Sequence, residues 1–256
     1  MAENSSLSDA DRAIYDWQLP ITGFGEAGQL RLKNATVLVS RIGGVGGTLA
    51  LQLAAAGVGR IILAHAGDLR PDDLNRQLLM SHAGVGQSRV DQAAVRLRGF
   101  NPLIEVVPFA ENIHAGNVDI LVREADVVAS CAPLFSERLL LNRAAVEQKK
   151  PLVDCAMYEL EAQLTTVLPS HGPCLACLYP TEPEAWKRRF PVFGTVAGTI
   201  GCLGAMEVIK VLAGLGEPLV GKLLICDLAD MSFRKVHLKR NDACQVCGNS
   251  ANEPAT

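Results

Sequence analysis

Thr36-Val37-Leu38-Val39-Ser40-Arg41-Ile42-Gly43-Gly44-Val45-Gly46-Gly47 is the stretch on which the reading of this chain turns. A short apolar run meets a cluster of glycines, and residues 48–56 follow with helix-forming side chains. That order predicts a buried strand, a tight turn and a helix, because glycine lets backbone N–H groups and a helix N-terminus come close to a phosphate. The first position of a Gly-X-Gly-X-X-Gly fingerprint, where glycine makes the turn, is Arg41.

The same alternation spreads outward. Ser8 starts a helix predicted over residues 8–19, with Asp11 as its capping-box partner. Apolar strands are expected at residues 60–64, 104–109, 126–131 and 152–156, and helices at 87–100, 118–124 and 137–149. Pro71-Asp72-Asp73 caps a turn or helix running to Met80, and Asn101-Pro102 stops the helix before it. Strand–helix alternation argues for a Rossmann-like, doubly wound, mostly parallel sheet. After Met157 the pattern changes to strands at 164–168, 222–227 and 233–238 around one helix, 199–212, so antiparallel C-terminal strands should extend the sheet. Residues 181–193 read as a crossing loop. One domain is expected over residues 8–248, with a nucleotide-binding half at 36–156, a C-terminal extension at 157–248, and frayed ends at 1–7 and 249–256.

With 256 residues, 49% hydrophobic and 20% charged, the chain is long enough for a large single core. A net charge of −3 offers no electrostatic support for nucleic-acid binding. The N-terminus lacks a basic, apolar leader, and the most apolar stretch, residues 194–214, contains Glu207 and Lys210. A core helix and a cytoplasmic protein without membrane contact are therefore expected.

Cys174-Leu-Ala-Cys177 and Cys244-Gln-Val-Cys247 are two knuckles at zinc-ligand spacing. Two residues between cysteines let both sulfurs face one ion, and two knuckles close a tetrahedral site. A structural zinc would tie the C-terminal end to the loop near residue 175; paired redox dithiols are the other reading of the motif. Cys131, Cys155, Cys202 and Cys226 are expected in the core.

The glycine turn, Leu74-Asn-Arg76-Gln77, Val85-Gly86-Gln87-Ser-Arg89-Val90, Ala205-Met-Glu207-Val-Ile-Lys210 and the knuckles, in this order, resemble the ThiF/MoeB/HesA family, bacterial relatives of ubiquitin-activating enzymes. The resemblance implies a homodimer, or a heterodimer with a related chain. It implies ATP- and Mg²⁺-dependent adenylation of the C-terminal Gly-Gly of a ubiquitin-like sulfur-carrier protein. By matching positions it assigns nucleotide binding to Gly43, Gly44, Gly46, Asp73, Arg76, Gln77 and Arg89, with Arg76 as the catalytic phosphate contact.

Several positions depart from that family pattern. His65 stands where an acidic residue grips the ribose, with Asp68 three residues on. Asp73 replaces an asparagine and brings a negative charge toward the phosphates, while Arg89 replaces a lysine. Cys131-Ala132-Pro133-Leu134 replaces a run whose aspartate handles magnesium. Tyr15-Asp16-Trp17-Gln18 lacks the arginine that crosses the dimer, and Arg12 lies on another face. Thr181 to Phe193 contains no cysteine, with Lys187 near its expected place, so a covalent carrier intermediate there is not expected. Two other outcomes stay open: a catalytically degenerate partner or binding subunit, and a site repurposed for another anion without magnesium, with Arg41, Arg76 and Arg89 facing the pocket.

Overall fold

The computed structural model describes residues 5–183 and 190–248. It begins with α1 (Asp9–Tyr15) and α2 (Gly25–Asn34), then β1 (Thr36–Ser40), α3 (Gly44–Ala56), β2 (Arg60–Ala64), α4 (Arg89–Phe100) and β3 (Glu105–Phe109). It continues through α5 (Val118–Glu124), β4 (Val127–Ser130), α6 (Phe135–Glu147), β5 (Leu152–Tyr158), β6 (Glu161–Val167) and α7 (Leu175–Leu178). The last elements are α8 (Gly194–Ala213), β7 (Lys222–Asp227) and β8 (Ser232–His237). One eight-stranded sheet runs β3-β2-β1-β4-β5-β6-β7-β8. Its first five strands are parallel, and β6, β7 and β8 pair antiparallel, as the change of pattern after Met157 implied.

The cap on α1 forms as its sequence implied. Ser8 Oγ accepts from the Asp11 N–H at 3.1 Å, and an Asp11 carboxylate oxygen accepts from the Ser8 N–H at 2.7 Å. The helix nevertheless ends at Tyr15, because Gln18 and Leu19 both turn back to the Tyr15 carbonyl and Pro20 follows. Leu7, placed in a frayed tail by the sequence, is buried. The helix after the glycine turn starts at Gly44, four residues earlier than expected, so the glycines form its first turn.

The parallel strands are buried on both faces, which explains their continuous apolar runs. One face carries α3, α4 and α8; the other carries α5 and α6. Where α8 crosses β5, a Cβ on Gly204 would lie 2.3 Å from Cys155 Sγ, so only glycine lets the helix approach this closely. Glu207 is buried in α8. It accepts from Thr166 Oγ1 at 2.5 Å and from the Leu219 N–H at 2.7 Å, and pairs with Lys210. By length and composition alone α8 could cross a membrane, yet here it lies against α3, β5 and β6 with its charge anchored. Its outward side leaves Cys202 exposed, against the expectation of a core cysteine; Cys131, Cys155 and Cys226 are buried.

The sheet's two edges differ in design. Edge strand β3 carries Pro108 opposite Leu63. Edge strand β8 is exposed along nearly its whole length and bears Arg234, Lys235 and His237.

Candidate functional site

Strands β1, β2, β4 and β5 end at one rim, and a cavity of about 730 Å³ opens there. Gly43, Gly44 and Val45 form one wall, and His65 from the end of β2 another. The segment after β2 supplies Arg70, Asp72, Asp73, Asn75, Arg76 and Gln77, and α4 supplies Arg89. Cys131, Ala132 and Pro133 follow from β4, Arg138 from α6, and Cys155, Ala156 and Met157 from β5. Phe190, Pro191 and Val192 line the far end. The rest of the expected crossing loop, residues 184–189 with Lys187, lies outside the described residues.

The fingerprint's missing glycine is resolved by strain. Arg41 itself adopts the left-handed conformation, φ 62°, which costs a side-chain-bearing residue about 1–2 kcal/mol. Its N–H donates to the Ala64 carbonyl and its own carbonyl accepts from the Gly43 N–H, both at 2.8 Å. The guanidinium reaches α6, where Nη2 and Nε lie 2.6 and 2.7 Å from Glu137 Oε2. Gly46 is not part of the cavity wall: a Cβ there would sit 2.2 Å from the Arg41 carbonyl oxygen, so glycine is what lets α3 pass under the turn.

Asp73 is the hub of the second wall. Arg89 donates to its Oδ2 through Nη2 at 2.7 Å and Nε at 3.2 Å, and the Arg70 N–H adds a bond at 3.0 Å. Gln77 Nε2 and Arg76 Nη2 reach Oδ1 at 2.7 and 3.3 Å. Burial would raise this carboxyl, but the Arg89 hydrogen bonds, the Arg70 N–H and the nearby charges outweigh it and hold it below the ordinary range. Asp73 does bring a carboxylate to the cavity wall, and its charge is taken up there by Arg89 and Arg76. Arg89 gives its third contact to the Ala66 carbonyl at 3.2 Å. All three arginines expected at the pocket line the cavity, and Arg41 and Arg89 do so while bound to Glu137 and Asp73. Arg76 is anchored by the Asp72 carbonyl and Asn75 Oδ1 at 2.7 and 2.8 Å, and keeps 27% of its side chain exposed.

A third buried ion pair escaped the sequence reading. Arg138 Nη2 and Nε contact Asp154 at 2.6 and 3.1 Å, and Ser130 Oγ donates to the same carboxylate at 2.8 Å. The guanidinium carbon sits 4.5 Å from the Phe135 ring centroid and 5.3 Å from that of Tyr179. Arg138 follows Glu137 directly, so one turn of α6 holds both the glycine turn and β5. His65 is buried beside the cavity, whereas Asp68 is exposed and bridges Ser88, away from the wall. Arg12 pairs with Glu26 at 2.8 Å and does not line the cavity.

Magnesium does not fit this donor set. A bound Mg²⁺ draws on one or two carboxylates together with substrate phosphates. Here Asp73, Glu137 and Asp154 are each capped by a guanidinium, and Asp72, at the mouth, pairs with Arg70 at 2.9 Å. The side chains of Ala132 and Pro133 offer no ligand.

The knuckles do come together. Cys174 caps α7, Cys177 lies within it, and Cys244 and Cys247 follow β8. Cys174 and Cys244 sulfurs are 3.7 Å apart, Cys177 and Cys247 sulfurs 3.4 Å, and all four lie within 4.8 Å of one another. Tetrahedral zinc with sulfurs at 2.3 Å sets them about 3.8 Å apart, so the cluster fits such an ion. Burial pushes the Cys244 thiol up, but the Cys247 and Val246 N–H groups and the neighbouring thiols bring it down to about 7.

Sheet order, glycine turn and a cavity at the carboxyl ends of the strands define a doubly wound α/β protein with its site at the switch point. The chain belongs to the ThiF family, whose model matches residues 15–246. It is 48% identical over 246 residues to "Protein HesA, heterocyst" of Trichormus variabilis, covering 96% of this chain and 92% of that one. It is 39% identical to the adenylyltransferase and sulfurtransferase MOCS3 of Sus scrofa, spanning 95% of this chain but 55% of that relative. Among solved structures, E. coli MccB with ATP superposes with a TM-score of 0.78 at 27% identity, covering 87% of this chain and 70% of that one.

Proposed function

We propose that the chain activates the C-terminal carboxylate of a protein partner, a ubiquitin-like sulfur carrier ending in Gly-Gly, by transfer of adenylate from ATP. The observation that carries this reading is the cavity itself, in which the glycine turn, His65 and Arg76 surround a space that runs on to Met157, Pro191 and Val192. The family's adenylyltransferase relatives and the likeness to MccB with ATP support it.

In this reading the carrier's carboxylate oxygen attacks the α-phosphorus, the bond from that phosphorus to the β-phosphate bridge breaks, and pyrophosphate leaves with its electron pair. Gly43, whose N–H is taken by the Arg41 carbonyl, leaves room for the phosphates, and Gly44 at the positive end of α3 holds their oxygens. Arg76, whose side chain stays 27% exposed, stabilises charge gathering on the pyrophosphate. Asp73, Gln77 and Arg89 position Arg76 and keep its wall rigid. His65 faces the sugar. Zinc held by Cys174, Cys177, Cys244 and Cys247 is structural, since four protein ligands leave no open position.

The protein acts as a cytoplasmic homodimer or with a related chain. Trp17, 95% exposed beside half-exposed Ile14 and Ile21, is a fitting contact for that second chain. ATP–pyrophosphate exchange with Gly-Gly-ending carriers tests the proposal: exchange that disappears in Arg76→Gln supports it, and no exchange with any carrier refutes it. The degenerate partner-subunit reading is favoured by one observation, the pairing of Arg41, Arg89 and Arg138 with internal carboxylates. It expects no exchange and a stable complex with a second ThiF-type chain.

A further inference from the structure

The cavity's charges are arranged in an order that bears on the form in which a ligand enters. Among the described residues five guanidiniums line it, from Arg41, Arg70, Arg76, Arg89 and Arg138. The four nearby carboxylates, Asp72, Asp73, Glu137 and Asp154, each sit within 2.9 Å of one of those arginines. Five positive and four negative charges leave one net positive charge, and none of these carboxylates stands without a guanidinium against it. A divalent cation entering this space meets guanidiniums where it needs oxygens. A phosphate meets fixed donors that cannot lose their charge at any working pH.

We infer that the site takes its nucleotide as the metal-free anion, with Arg76 and the α3 N-terminus supplying the charge compensation that a divalent cation would otherwise bring. The inference rests on the nucleotide reading above and deepens it. Arg76 suits the role by position: it is fixed by Asp72, Asp73 and Asn75 on one side and partly open on the other. Free ATP carries roughly two more negative charges than its magnesium complex, and a cavity whose described residues carry a net positive charge and no unpaired carboxylate favours the more charged form.

Isothermal titration of the full-length, zinc-loaded protein with ATP, ADP and inorganic pyrophosphate, each in weak citrate-free buffer with cyclohexanediamine tetraacetate or with excess Mg²⁺, tests this. Zinc retention is checked in the chelator buffer by metal analysis. ATP affinity without magnesium equal to or above that with magnesium is expected. Magnesium-bound ATP binding more than threefold tighter overturns the inference and leaves adenylation standing. Metal-free binding without pyrophosphate exchange overturns adenylation and leaves the inference standing. No binding of any probe in either buffer overturns both. Arg76→Gln, with unchanged melting temperature, should weaken metal-free ATP binding tenfold or more, and unaltered binding counts against the inference. Pro133→Asp places a carboxylate beside Ala132 at the rim and should convert the site to one that prefers the magnesium complex.

Discussion

Replacing Asp73 with alanine removes the acceptor of four side-chain hydrogen bonds, two of them from Arg89. The Arg89 side chain is 10% exposed, so its charge would stay desolvated and uncompensated. Breaking a buried pair from one side costs about 3–5 kcal/mol. For a chain of this length each kcal/mol moves the midpoint by about 2–4 °C, so Asp73→Ala should melt about 6–20 °C lower. Arg89→Ala leaves Asp73 with Gln77, Arg76 and the Arg70 N–H, and should cost less, about 2–3 kcal/mol. The double variant strands neither charge, so its loss should fall short of the sum by about 1–3 kcal/mol. Guanidinium chloride unfolding of all four proteins at pH 7 measures the cycle. Additivity within about 0.5 kcal/mol would show that the two groups do not depend on each other, and the account of this wall would fail.

Acid should expose the same carboxylates. Asp73 and Asp11 titrate below their ordinary values in the folded chain, so their stabilisation is present above about pH 4 and disappears as pH falls through the depressed values. Asp73→Asn should therefore lose less stability than the wild type between about pH 5 and pH 2 in urea titrations; parallel curves would contradict the linkage. Metal analysis should find one zinc per chain, and Cys174→Ser or Cys244→Ser should lower both metal content and melting temperature; full stability without metal would reduce the cluster to four thiols. Gly46→Ala should cost about 1–3 kcal/mol and weaken ATP binding, because the new methyl group meets the Arg41 carbonyl. Gly47→Ala, where the nearest atom is 3.7 Å away, should be neutral or mildly stabilising, and equal damage at both positions would refute the packing argument.

Periodicity made the parallel half legible. β2 and α5 lie where the apolar runs placed them, since buried parallel strands must be apolar on both faces. α2 was not anticipated, because Gly25 and Gly28 break its helical signal and its burial rests on Gln29 and Leu32. The strands expected at 152–156 and 164–168 are one long hairpin, β5 and β6, closed through Glu159 in a left-handed conformation. A reading based on turn residues passes over Glu159 and Leu160. The knuckles were legible because two residues between ligands is a local constraint. The ion pairs were not, because Arg41 and Glu137 stand 96 residues apart and Arg89 and Asp73 only come together once the segment after β2 folds back on α4. The substitutions visible in the sequence at Arg41, Asp73 and Arg89 thus acquire their partners only in three dimensions.

The two borders of the sheet have a consequence for how this protein meets others. Pro108 removes a donor from β3, and Arg234, Lys235 and His237 line β8 with groups that repel a like strand. Neither side invites an extra strand, so the molecule is guarded against stacking into ribbons even at high concentration. Among the described large hydrophobic side chains it is Trp17, outside the sheet, that is most exposed.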